Sequence, residues 1–258
     1  MCPAERNIVD SAVARVSAVL SAFDAHHPEL RVLEISRRSG LPKATTSRLV
    51  KELLEHGFLE RDGSRLHIGT RLFEFGELAS RHRNLRSVAL PYMADLREAT
   101  RQRVHLAVLD GHDVVYVEIL RSKDAPRMAS EVGGRLLAHA SGVGKALLAF
   151  ADPVLVETLC ERPLKPVGPR TITSPELLRR ELARVRNLGL AFDHEESGPG
   201  VACVASPILR ADGSASAAVS VSGWSGRMNL RRMGPAVRAV ALALSRELHK
   251  SGSAGAAL

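Results

Sequence analysis

Aromatic residues are scarce in this chain, at 3% of 258 positions, and no aromatic cage for a ligand is apparent. Cysteine is scarcer. Cys2, Cys160 and Cys203 are too few and too scattered for a disulfide framework or a zinc site. No apolar run approaches the roughly 20 residues that a membrane helix needs, and the opening MCPAERNIVD lacks the apolar core of a secretion signal. There are no internal repeats. With 45% hydrophobic residues the chain is globular rather than disordered, and its length suffices for one large or two ordinary domains. A cytoplasmic location is expected, and nothing calls for a metal or a cofactor.

Acidic charge is also in deficit. The net charge is +8 and the pI about 10.0, which suggests an anionic partner. The excess is unevenly placed: residues 1–84 carry a balance of only +2, and the other +6 lies beyond them. One short segment stands out. From Arg31 to Lys51 there are six basic residues against one acid, Glu34, enough positive charge to lie along a phosphate backbone.

That segment overlaps LEISRRSGLPKATTSRLVKELLEHGFLERDGSRLHIG, residues 33–69. Leu33, Ile35 and Ser36 predict a short helix stopped at Gly40, where a positive φ is easily adopted. Pro42 suits the start of the next helix, where its missing N–H costs nothing. Leu49, Val50, Leu53 and Leu54 recur at helical spacing and form its core stripe, and Gly57 ends it. Residues 58–61 and 65–68 flank Asp62-Gly63-Ser64 as a hairpin. Two helices around a tight turn, followed by a hairpin wing, make a DNA-docking unit, a winged helix-turn-helix. The face opposite the core stripe offers Ser47, Arg48 and Lys51, with Lys43, Thr45 and Thr46 nearer the helix start. Arg38 on the first helix and Arg65 on the wing complete the candidate DNA contacts. Arg48 is the candidate for reading a guanine edge, whereas lysines and hydroxyls more often hold phosphates.

Around this unit, Asp10 or Ser11 is placed to cap a first helix reaching about Asp24. An amphipathic helix is expected from Thr70 to about Arg83 as a linker. Beyond it a helix runs from Leu85 to about Arg101, and strands follow at 105–109 and 114–120 around Asp110-Gly111. A third strand is expected at 127–132 and a helix at about 142–150. Ser174-Pro175-Glu176 opens another helix that ends at Gly189. Strands at 190–193, 201–209 and 215–222 precede a closing helix from about Leu230 to Leu248, and the tail 251–258 is expected to fray. This order predicts an α+β domain with a largely antiparallel sheet. The expected divisions are 1–69 for DNA binding, 70–84 for the linker, and 85–250 for the second domain.

These residues resemble the IclR family of bacterial transcriptional regulators. The match spans about Asp10 to Leu248 and rests on LPKATTSRLVKELLEHGFLER, HASGVGKALLAF at 139–150, LGLAFDHEESGPGVACVASPI from Leu188, and AAVSVSGW from Ala217. Ala44 departs from it, standing where the family commonly has Ser, and Thr46 stands where the family often has an apolar residue. The resemblance implies a C-terminal domain of the GAF/PAS type that binds small organic effectors, often carboxylates. It also implies homodimers through the DNA-binding domains, often paired to homotetramers, on double-stranded operator DNA. Carried over residue by residue, the effector contacts fall on Ser141, Gly142 and Val143, on Asp193 and Cys203, and on Ser220 with Ser222. The first three open a helix whose N–H groups and dipole suit an anion. The two serines alternate with Val219 and Val221 and so share one side of a strand.

Taken without the resemblance, these residues have plainer roles. Ser141 serves as a helix cap, Asp193 as a solvated charge, Cys203 as a small buried hydrophobe, and the serines as exposed sheet positions. An enzyme using Cys203 with His139 or His194 is the competing function class, although no catalytic residue can be assigned. Gly142-Val-Gly-Lys145 fails as a phosphate loop, because His139 and Ala146 stand where Gly and Ser/Thr are required. A ligand-independent DNA-architectural protein is a second competitor.

Overall fold

Ser11 caps helix α1 (Ala12–Leu20), its hydroxyl accepting the Ala14 N–H at 3.0 Å. The computed structural model describes residues 11–254 apart from 25, 79, 127 and 129, so Asp10, Cys2 and the end of the tail lie outside the described residues. The chain divides into two compact units, Met1–Ser80 and Arg81–Leu258.

In the first unit, α2 (Val32–Ser39) ends at Gly40 with φ +70. A Cβ there would meet nothing, so the left-handed backbone is what favours glycine. Helix α3 (Lys43–Glu55) buries Leu49, Val50 and Leu53 against Val19, Ile35 and Leu66. The wing is β2 (Leu59–Asp62) and β3 (Arg65–Ile68), joined at Gly63-Ser64. A strand that was not expected, β1 (Glu29–Leu30), adds to the other side of β3. Two residues carry too little pattern to be read as a strand from sequence. Helix α4 (Thr70–Leu78) closes the unit.

The second unit begins with α5 (Ser80–Thr100), so the helix expected from Leu85 starts earlier and crosses the anticipated 84/85 boundary. Six strands follow: β4 (Arg103–Asp110), β5 (Asp113–Leu120), β6 (Arg135–Leu137), β7 (Ala191–His194), β8 (Val201–Leu209) and β9 (Ala215–Trp224). They form one antiparallel sheet in the order β6-β5-β4-β9-β8-β7. The strand expected at 127–132 is corrected to β6. Arg127 and Ala129 lie outside the described residues, and the others there are not in a strand. Gly133, at φ +78, turns the chain into β6.

Alternation divides the sheet into two faces. Val104, Leu106, Val204, Val219 and Val221 pack with α5 and α9 (Leu230–Ala254). The other face packs with α6 (Gly142–Leu148), α7 (Pro153–Cys160) and α8 (Pro175–Leu188). Helix α7 was missed, although Asp152 caps it and Pro153 opens it, a signal visible in the sequence. Helix α9 continues to Ala254, so the first half of the expected frayed tail is helical.

One irregularity positions the site. Leu106 pairs with Glu118, but Ala107 pairs with Tyr116, leaving Val117 as an extra residue on β5. This β-bulge resets the alternation. Ile119, Tyr116 and Val114 consequently all belong to the face that meets α6.

Candidate functional site

Helix α3 presents Lys43, Ser47, Arg48 and Lys51 to solvent, with Thr45 half-buried. Lys43 and Arg48 have no carboxylate within ion-pair distance among the described residues, whereas Lys51 lies 3.8 Å from Glu55, one turn away. One expected DNA contact, Thr46, needs correction. Thr46 is wholly buried, and its hydroxyl donates to the Pro42 carbonyl at 3.1 Å. It is therefore a core residue, its hydroxyl bonded back to the preceding turn, and DNA cannot reach it. Arg38 is engaged within the unit, its Nε donating to the Ala22 carbonyl at 2.6 Å and its Nη2 to Asp24 at 2.5 Å, which ties α2 to the end of α1. Arg65 stays exposed on the wing, 3.9 Å from the Glu29 carboxylate.

In the second unit, Ser141, Gly142, Val143, Asp193, Cys203, Ser220 and Ser222 all line one cavity of about 390 Å³. The sheet register explains how residues so distant in sequence meet. Asp193 is opposite Cys203, Cys203 opposite Ser222, and Ser222 opposite Arg103, which makes one row across β7, β8, β9 and β4. The next row carries Ser220 and His105. Helix α6 lies over the row's β7–β8 end. A Cβ on Gly142 would stand 2.9 Å from Cys203 Sγ and 3.5 Å from Asp193 Cβ, so glycine is needed there for close approach. Ser141 does cap α6, accepting the Gly144 N–H at 3.2 Å. The N–H groups of Gly142 and Val143 open the helix with no preceding turn to accept them.

The plainer roles for Asp193 and the two serines fail on burial, since all three are almost fully enclosed. Asp193 Oδ1 accepts the Glu196 N–H at 2.7 Å, and burial pushes its carboxyl up. It thus anchors the 195–198 segment, whose Ser197 and Gly198 also line the cavity. That segment is pinned a second time. The Lys145 ammonium, 1% exposed, donates to both Glu196 carboxylate oxygens at 2.5 and 2.6 Å and to the Phe192 carbonyl at 2.7 Å. The failed phosphate-loop lysine is therefore a buried structural cation.

Sequence reasoning missed the other half of the wall, which includes His105, Tyr116, Ser130 and Leu136. The His105 Nε2 is 3.0 Å from Ser130 Oγ, and its Nδ1 is 3.5 Å from the hydroxyls of both Ser220 and Ser222. Burial first, and the Arg103 charge second, push its pKa down to about 3, so the ring is neutral. Arg103 is buried beside it. One guanidinium nitrogen donates to the Ser130 carbonyl at 2.6 Å, and its Nε has no partner. It is a buried positive charge with no carboxylate within ion-pair distance among the described residues.

A cysteine nucleophile finds no support in this geometry. Burial pushes the Cys203 thiol up to about 12, and the thiolate is the reactive form. His139 is occupied by the Lys165 carbonyl at 3.0 Å, and His194 is an exposed residue next to Asp193 on β7. A second cleft of about 730 Å³, bordered by Phe150, Arg179 and Arg186, lies outside this constellation. Among the described residues no helix is long and apolar enough to cross a membrane, and no group of three His, Cys, Asp or Glu is placed to hold a metal.

Comparison with known proteins agrees with the two-part reading. Residues 12–63 match the IclR helix-turn-helix domain, and residues 78–246 match the bacterial transcriptional regulator IclR C-terminal domain. The chain is 33% identical over 242 residues to the HTH-type transcriptional regulator XynR of Escherichia coli K12, covering 92% of this chain and 96% of that protein. It is 35% identical over 221 residues to the transcriptional repressor AllR of the same organism, covering 84% and 81%. Among solved structures, an IclR homolog of Microbacterium hydrocarbonoxydans complexed with 4-hydroxybenzoate superposes with a TM-score of 0.85 at 34% identity. The likeness covers 93% of this chain and all of that one.

Proposed function

The chain belongs to the IclR family of DNA-binding bacterial transcriptional regulators, and we propose that it is a repressor controlled by a small organic carboxylate seated in the cavity beneath α6. The observation that carries this reading is the convergence of all seven expected effector residues on one cavity. The start of α6 supplies N–H donors and a favourable dipole. The buried Arg103 guanidinium adds positive potential at the other end of the Asp193 row. Asp193 orients the 195–198 wall through the Glu196 N–H, and the burial that raises its pKa favours the neutral carboxyl and lessens repulsion of an anion. A relative of 34% identity is known bound to a carboxylate, 4-hydroxybenzoate.

DNA recognition is assigned to the exposed side of α3, with Arg48 reading a base edge and Lys43, Thr45, Ser47 and Lys51 holding the backbone, aided by Arg65 on the wing. One winged helix covers one half-site, so the protein acts as a homodimer or a homotetramer of dimers. The unit through residue 69 binds DNA, residues 70–84 link, and the remainder senses the effector. Effector and DNA must alter each other's affinity reciprocally.

The test uses operator DNA selected by the wild-type protein from a random library. Arg48→Ala is expected to lower the ratio of specific to non-specific affinity about tenfold. Thr46→Val, at a buried position, is expected to leave that ratio within about twofold. An unchanged ratio in Arg48→Ala removes its base-reading role, and a large effect of Thr46→Val contradicts its assignment to the core.

A further inference from the structure

The positive charge beyond residue 84 is concentrated. Residues 227–250, the turn before α9 and most of that helix, carry six basic residues against one acid, Glu247. Five of the six excess charges of residues 85–258 therefore fall on this stretch, and the other 150 residues hold a balance of +1. Solubility is served by both signs interspersed over a surface. That is the pattern elsewhere in the unit, where Arg101 pairs with Glu98, Arg121 with Glu131 and Arg179 with Glu157. A domain whose ligand is a small acid has no use for a one-signed stretch on its outside.

The fold turns all of this charge outward. Leu230, Val237, Ala241 and Leu244 bury the inner side of α9 against the sheet. Arg227, Arg231, Arg232, Arg238, Arg246 and Lys250 are exposed. Lys250 lies 3.6 Å from Glu247, whereas the five arginines have no carboxylate within ion-pair distance among the described residues. Arg231 and Arg238 are seven residues apart, which sets them on one face, two turns and about 10.5 Å from each other. That is close to the roughly 12 Å of a major groove, so the two can reach phosphates on either side of one. The Arg238 guanidinium is held in place against Gly189, where an added Cβ would stand 3.2 Å from its Nε. Arg227, Arg231 and Arg232 also crowd the positive end of the helix dipole, with no acid in the first turn. Folding gains nothing from that arrangement, and a polyanion laid across it relieves the repulsion. Five of the six cations are arginine, whose planar fork matches phosphate.

We propose that the outer face of α9 is a second DNA-binding surface, which holds the phosphate backbone of DNA flanking the half-sites read by α3. The occupant is DNA rather than an acidic protein, because the chain already holds DNA through its first unit. Flanking duplex is then at high local concentration whenever the operator is bound. The contact is independent of base sequence and adds affinity that falls steeply with salt. It is separate from the effector cavity, which lies on the opposite face of the sheet from α9.

The experiment measures affinity for the selected operator against salt concentration, using the full chain and two duplexes. One is trimmed to the half-sites, and the other is extended by about 30 base pairs on each side. Wild type is compared with Arg231→Gln/Arg238→Gln and with Arg162→Gln/Arg170→Gln, which removes two exposed arginines elsewhere in the unit. All four positions are on the surface, so both variants are expected to melt with wild type. On the extended duplex, Arg231→Gln/Arg238→Gln is expected to flatten the slope of log affinity against log salt by about 2. It should also weaken binding about tenfold at about 0.1 M salt. On the trimmed duplex it should match wild type, and the second variant should match wild type on both. An unchanged slope on the extended duplex overturns the proposal. So does an equal loss in both variants, which reports net charge alone, or an equal loss on both duplexes, which places the contact inside the half-sites. An altered sedimentation mass with an unaltered slope identifies the face as a contact between copies and also overturns it. Binding of the trimmed duplex by wild type leaves the α3 reading standing in every case.

Discussion

Replacing Lys145 by Met tests whether the buried cation holds the cavity wall. An ammonium has three donors, and here all three are used, on the two Glu196 oxygens and the Phe192 carbonyl. Methionine matches the length of the side chain but leaves the Glu196 carboxylate, 7% exposed, without its counter-charge. Glu181, 3.8 Å from the ammonium, retains Arg184 at 3.7 Å and is less affected. Breaking a buried pair in this way costs about 3–5 kcal/mol, against about 5–15 kcal/mol for a whole domain. At roughly 2–4 °C per kcal/mol for a unit of this size, the melting temperature should fall by about 6–20 °C. Circular dichroism melting of the full chain measures it. The double variant Lys145→Met/Glu196→Met removes both charges and is expected to recover to within about 1–2 kcal/mol of wild type. The single variant should also bind effector more weakly, because the 195–198 wall loses one of its two anchors. Melting of Lys145→Met within about 2 °C of wild type, or a double variant as unstable as the single, would refute the reasoning.

Gly142→Ala brings a methyl to 2.9 Å from Cys203 Sγ and should destabilise by about 1–3 kcal/mol through overpacking. Adding Cys203→Ala should relieve part of that cost, and strictly additive denaturation energies would show that the two residues do not meet. His105 gives the domain a pH dependence. Its folded pKa of about 3 lies below the ordinary 6.5, so the unfolded chain binds more protons between those values. The stability it contributes is therefore present above pH 6.5 and is lost as pH falls towards 3, at about 1.4 kcal/mol per unit. Urea denaturation across that window should show the gap between wild type and His105→Gln narrowing on acidification, and a constant gap would exclude the assignment.

Local rules were enough to read much of this protein from its sequence. Gly40, Gly57 and Gly189 end helices because glycine tolerates positive φ, and Ser174-Pro175 opens α8 because a hydroxyl cap and a proline suit that position. The alternation at 219–222 set Ser220 and Ser222 on one side of a strand, and resemblance to a family marked them as candidates for one site. What the sequence left open depended on contacts between distant residues. The resemblance put Thr46 at a position where the family is often apolar, but only the fold shows that its hydroxyl turns back to Pro42 within the core. The sequence excluded a phosphate loop around Lys145, but only the fold shows that Glu196, 51 residues away, neutralises this lysine. Tyr116 belongs to the cavity only because β4 and β5 slip by one residue at Val117. A strand's own pattern reports which residues alternate, whereas the face a given residue takes is set by its register with the neighbouring strand, and that pairing exists only in the folded sheet.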